Sequence, residues 1–102
     1  ADICLVGFVS QNREDAFKGA RKFLELFTEE AKKNYPNMPL RILGPTPALV
    51  VKISNKYRFK IIIKCKNNSE FRALLSKILC EFGKSKEFSG VMAYADMNAL
   101  VC

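Results

Sequence analysis

The stretch "RILGPTPALVVKISNKYRFKIIIK", Arg41 to Lys64, decides how this chain is read. Two prolines, Pro45 and Pro47, stand before an apolar run, and a strand-like segment follows whose charged side chains are all basic. "ALVVKIS" and "YRFKIIIKC" read as two strands joined by a turn at Ser54, Asn55 and Lys56. "LRIL", Leu40 to Leu43, reads as a short strand of its own, closed by Gly44, Pro45 and Pro47.

Upstream, "DICLVGFVS" (Asp2 to Ser10) is apolar on both faces, which predicts a central or covered strand. Asn12 is placed to cap a helix, with Asp15 three residues on. Ala16, Phe17, Ala20, Phe23, Leu24, Phe27 and Ala31 recur at helical spacing through Lys33, and Pro36 and Pro39 end the run. Downstream, Asn67 is expected to cap a second helix, with Glu70 at its third position. Its apolar stripe is Phe71, Leu74, Leu75, Ile78, Leu79 and Phe82, and Gly83 suits its exit. The polar loop "KSKEFSG" then leads to a last strand, "VMAYADM". The order is that of a split βαβ unit. It predicts an α+β, ferredoxin-like βαββαβ sandwich with a hairpin extension, its two helices on one face of an antiparallel sheet.

At 102 residues, 49% of them hydrophobic, the chain is the size of one domain, residues 1–102, with a sizeable core. No run approaches the ~20 apolar residues that span a bilayer, so no membrane partner is expected. No basic-then-apolar leader follows Ala1, and a start without Met reads as a processed or excised piece. Cys4, Cys65, Cys80 and Cys102 contain no close pair, and there is no histidine. Zinc sites normally use close ligand pairs. Cys4, Cys65 and Cys80 stand instead where the pattern wants apolar residues, which favours small buried thiols in a reducing cytoplasm.

Enzyme chemistry finds little to hold. Without histidine there is no ordinary acid–base group or nucleophile–base pair. "LGPTPA" has two prolines where a phosphate-cradling loop needs amide donors. Glu14–Asp15 and Glu29–Glu30 lie on the first helix, where charge usually faces water. Charge points elsewhere: residues 1–51 carry +1 and residues 52–102 carry +6, and Lys52 to Lys66 holds six basic residues and no acidic one. Such an excess attracts polyanions or acidic peptides, or else simply keeps a surface solvated.

Alternation sorts the basic strand into two faces. Tyr57, Phe59, Ile61, Ile63 and Cys65 share one, suited to packing under helices. Arg58, Lys60, Ile62, Lys64 and Lys66 share the other. Same-face residues lie roughly 6.5–7 Å apart along a strand, close to the phosphate spacing of an extended nucleic-acid strand. Lys52 and Lys56 extend the row onto the hairpin. Tyr94 is the best exposed stacking candidate, and with few such rings the pattern favours backbone contact over base reading. The rival reading is a solvated edge strand kept from aggregating by its lysines.

The signature "LGPTPALVVKISNKYRFKIIIK" resembles the C-terminal domain of primosomal protein N′, the replication-restart helicases of bacteria. Leu43, Gly44, Pro45, Pro47 and Ala48 match the family's corner, and Lys56, Tyr57, Arg58, Phe59 and Lys60 match its basic-aromatic strand. The chain departs at its end. Tyr94 stands where the family has a first acid, Asp96 keeps the second, and Met97 replaces a proline, so no role of that acidic pair carries over. The resemblance implies a non-catalytic DNA-binding and partner-docking domain of an ATP-dependent 3′–5′ DNA helicase that assembles the primosome at stalled forks. It implies no cofactor in this piece, with ATP, magnesium and zinc belonging to the parent. The implied partners are branched or single-stranded DNA, the helicase lobes of the parent chain, and the acidic C-terminal tail of single-stranded DNA-binding protein, in the bacterial cytoplasm. That tail docks near the start of the second helix, at Asn68 and Arg72 here. Arg58, Lys60 and Lys64 are then the core DNA contacts, with Lys52, Lys56 and Lys66 peripheral. The alternatives are a ferredoxin-like RNA-binding or ribosome-associated domain and a small-molecule-sensing regulatory domain.

Overall fold

Apolar side chains at every second position of the strands and every third or fourth of the helices assemble into one layer of sheet and one of helix. A computed structural model describes residues 2–53 and 56–97, the side chains of 48–53 excepted. Along the chain come β1 (Asp2–Ser10), α1 (Arg13–Asn34), β2 (Arg41–Ile53), β3 (Lys56–Cys65), α2 (Ser69–Gly83) and β4 (Met92–Met97). The sheet order is β2-β3-β1-β4, antiparallel throughout. This is the expected ferredoxin-like α+β fold. The expected turn residues Ser54 and Asn55, the end of the chain with Cys102, and the side chain of Lys52 lie outside the described residues.

The register of β1 with β3 sets the core. Cys4↔Ile63, Val6↔Ile61 and Phe8↔Phe59 face each other, and all six side chains are buried under the helices. Phe8 meets Phe23 and Phe82 edge-on, with centroids 5.4 and 5.8 Å apart, and Phe27 meets Phe71 at 6.3 Å. Such rings add contact energy beyond the area they bury. Asn12 caps α1 as read, its Oδ1 accepting from Asp15 N–H at 3.1 Å. Lys77 Nζ on α2 donates to Glu30 Oε2 on α1 at 2.9 Å.

The structure corrects several local expectations. The short strand at Leu40–Leu43 and the strand at Ala48–Ser54 are one continuous β2, with register shifts between Leu43 and Thr46 and between Pro47 and Lys52. The prolines do not break it because β2 is an edge strand, paired on one side alone, where residues without an amide donor are tolerated. The cap of α2 is Asn68, not Asn67: its Oδ1 accepts from Phe71 N–H at 2.9 Å. The Asn67 side-chain oxygen is committed elsewhere, accepting from Arg72 Nη1, and its backbone N–H donates to Asp2 Oδ2 at 2.9 Å. Cys80 is exposed on α2 rather than buried, while Cys4 and Cys65 are buried. Burial, then the nearby Cys65 and Asp96, pushes the Cys4 thiol up to about 12, and burial raises Cys65 as well. Both therefore stay protonated and serve as apolar filling.

Gly44 makes the corner possible. Its φ of 107° is one that side chains rarely adopt, and an added Cβ would lie 2.9 Å from the Lys60 carbonyl oxygen. Gly44→Ala is therefore expected to lower unfolding free energy by about 1–3 kcal/mol, read as a reduced urea midpoint. Gly90→Ala, where a Cβ meets nothing within 4 Å, is the neutral control. Equal midpoints for the two variants would show that the corner does not hold residue 44 in this conformation.

Candidate nucleic-acid interface

The helices cover one face of the sheet, so side chains of the opposite parity line the other. On β3 these are Arg58, Lys60, Ile62 and Lys64, the alternation read from the sequence. Cross-strand register continues the face onto the neighbours. Lys64 pairs with Arg41 and Ile3, and Ile62 with Leu43 and Leu5. Lys60 pairs with Thr46 and Gly7, and Arg58 with Val9. From β4 come Met92, Tyr94 and Asp96, opposite Val9, Gly7 and Leu5.

Arg41 is a cation that strand-by-strand reading missed. Its position opposite Lys64 depends on pairing between residues far apart in sequence, and no local signal reveals it. Like charges placed directly opposite destabilise a sheet. Among the described residues the ion pairs are Lys18–Glu14 and Lys77–Glu30, both on the helices. The arrangement of Arg41 and Lys64 is therefore one that an anion laid over the face would relieve. These two residues and Lys66, one position past β3, also line a groove of about 620 Å³ with Asp2, Pro39, Leu40 and Cys65.

Lys56, the other peripheral candidate, is exposed at the far end of the sheet. It lines a separate cleft of about 590 Å³ with Ser10, Asn12, Asp15 and Ser89. The structure thus brings Arg58, Lys60 and Lys64 into one row, puts Lys66 at one end and Lys56 at the other, and adds Arg41. At the start of α2, the Asn68 side-chain oxygen is occupied by capping. Arg72 is exposed, and its Nη1 donates to Asn67 Oδ1 at 3.0 Å. Since Asn67 also bonds Asp2, a hydrogen-bonded chain Arg72–Asn67–Asp2 runs from α2 to the rim of the groove.

Tyr94 is not the freely exposed ring expected. It is half-buried and lies across β1 at Gly7, where a Cβ would fall 2.3 Å from its Cζ. Its hydroxyl accepts from Arg58 Nη2 at 2.7 Å. Gly7 is the residue that sequence reading passed over; only its lack of a side chain lets a ring on β4 reach an arginine on β3. No group of three or more cysteines and carboxylates capable of holding a metal occurs among the described residues, and none of their helices is long and apolar enough to cross a membrane.

Residues 4–91 match the family model of the primosomal protein N C-terminal domain. The chain is 38% identical over 58 residues, 57% of its length, to the replication restart protein PriA of Bacillus subtilis (strain 168), and the match spans 7% of that relative. Among solved structures, it is similar to a de novo designed protein with a ferredoxin fold (TM-score 0.55, 14% identity, covering 99% of this chain and 88% of that one). It is also similar to a dimeric ferredoxin-like protein from an uncultured marine organism (TM-score 0.52, 13% identity, covering 94% and 92%). At these identities the structural likeness speaks to fold alone.

The Gly7–Tyr94–Arg58 contact predicts a coupled pair of substitutions. Tyr94→Phe removes the hydroxyl and is expected to cost about 1 kcal/mol, the net worth of a typical hydrogen bond. Gly7→Ala forces the ring off the strand and loses the same bond. In the Gly7→Ala background Tyr94→Phe should then cost almost nothing, and urea titration of the four proteins measures this. Additive losses would mean that Gly7 does not hold the ring in place.

Proposed function

The chain belongs to the primosomal protein N C-terminal domain family, and from that premise we propose that it is a non-catalytic DNA-binding and partner-docking domain of a replication-restart helicase. The observation that carries the reading is the row Arg58, Lys60 and Lys64 on the face of β3 turned away from the helices, widened by Arg41 across the strand pair. Cations repeated along a strand match repeated phosphates. They engage backbone charge rather than base identity, as a protein that meets forks of any sequence requires. Unwinding, ATP, magnesium and zinc belong in this proposal to the rest of the parent chain, in the bacterial cytoplasm, and its helicase lobes are a further partner.

The docking role rests on Arg72 and the groove beyond it. A carboxylate-rich tail, that of single-stranded DNA-binding protein, would meet the Arg72 guanidinium in charge-assisted hydrogen bonds and then Lys66, Lys64 and Arg41. Asn68 takes part through its amide nitrogen, its oxygen being held by the cap.

Fluorescence anisotropy with a forked DNA across a salt series tests the DNA face. The log–log slope is expected at about −3 to −5, falling in size by about 2 when Lys60 and Lys64 are both replaced by glutamate. Absence of binding at low salt, or a slope indifferent to both substitutions, would remove the sheet face as the DNA site. The acidic tail peptide would then be the ligand of interest.

A further inference from the structure

We propose that Tyr94 is a stacking platform for one unpaired base of single-stranded DNA, with the neighbouring phosphates held by Arg58, Lys60 and Lys64. The inference rests on the DNA-facing reading of the open sheet and deepens it by naming the form of DNA that this face takes. Base stacking needs an aromatic ring with one face supported and the other open. Tyr94 is half-buried on the sheet face turned away from the helices, with its supported side toward β1. Gly7 seals its inner side, and the 2.7 Å bond from Arg58 Nη2 fixes the far end of the ring. The ring thus comes preoriented, so little side-chain freedom remains to be lost when a base settles on it.

Charge across the face gives the strand its orientation. β3 and β4 flank β1, so their same-face side chains stand about 9–10 Å apart, two strand spacings. One nucleotide covers that span from its phosphate to the far edge of its base. Cations line the β3 side, and among the described strand residues Asp96 is the carboxylate on this face, two positions from Tyr94 on β4. Phosphates are drawn to β3 and repelled from β4, which leaves the bases pointing toward Tyr94. Met92, 63% exposed beside it, offers a soft apolar contact to the next base. Arg58 serves both halves: one of its five N–H donors goes to Tyr94, which leaves others to offer a phosphate. A base inside a duplex is already stacked on both sides and cannot present its face to the ring, so the site selects unpaired DNA.

The test compares a short fluorescein-labelled oligo-dT with a same-length abasic strand, for the unaltered chain, Tyr94→Leu and Tyr94→Phe. Tyr94→Leu is expected to weaken oligo-dT binding about 5- to 100-fold with little change in the salt slope, since every cation of the row keeps its charge. Tyr94→Phe keeps the ring and should retain most of the affinity, and all three proteins should bind the abasic strand alike. The unaltered chain's preference for oligo-dT over the abasic strand needs no variant, so a folding defect in Tyr94→Leu cannot obscure the result. Salt-dependent binding that ignores both Tyr94→Leu and the missing bases would overturn the stacking site and leave the cationic face standing. Failure to bind either strand at low salt would remove both. Tighter binding to oligo-U RNA than to oligo-dT would overturn the assignment to DNA.

Discussion

Everything on the open face depends on the pairing of β1 with β3. With Val6 opposite Ile61 and Phe8 opposite Phe59, the apolar half of β3 lies under the helices and its cations lie outside. Sliding β3 by one residue would exchange the two sets. Arg58, Lys60 and Lys64 would then sit among Phe8, Phe23 and Phe82, at several kcal/mol for each buried ion. A domain's whole stability is about 5–15 kcal/mol, so no slipped register competes. The cationic row is therefore the reverse side of the core, held by the same contacts.

The outer face is also more structured than a row of charges. Leu43, Ile62 and Leu5 form an apolar strip across it, between the row of Arg41 and Lys64 and the row of Lys60. Leu5 is buried although no helix covers it. At the next register level, Gly7 leaves a gap that Tyr94 fills from the side, and the tyrosine in turn positions Arg58. Three strands thereby fix one guanidinium, whereas an exposed arginine would otherwise sample many rotamers.

How much of this was legible depends on the range of the interaction involved. The alternation Arg58–Phe59–Lys60–Ile61 is local, and it predicted both faces of β3. The Asn12 cap is equally local and stands as read. Asn67 and Asn68 are adjacent residues of the same type. The choice between them lies in the assembled helix start: Asn68 Oδ1 meets the Phe71 N–H, while Asn67 Oδ1 accepts from Arg72 and its backbone N–H reaches Asp2, sixty-five positions away. The continuity of β2 through two prolines depends on its edge position, which only the assembled sheet defines. Arg41 beside Lys64, and Gly7 beneath Tyr94, are likewise products of register. The resemblance in the corner and basic strand identified the family, but nothing in that stretch concerns residues 7 and 94.

The prolines of β2 have a second effect. An edge strand exposes unpaired amides and carbonyls that invite another chain to add on and extend the sheet. Pro45 and Pro47 carry no amide hydrogen, so an incoming strand finds no donor at either position, and the register shifts on both sides of this stretch spoil the straight ladder it would need. The strand that borders the cationic face thus carries a built-in terminator against polymerising with its own copies.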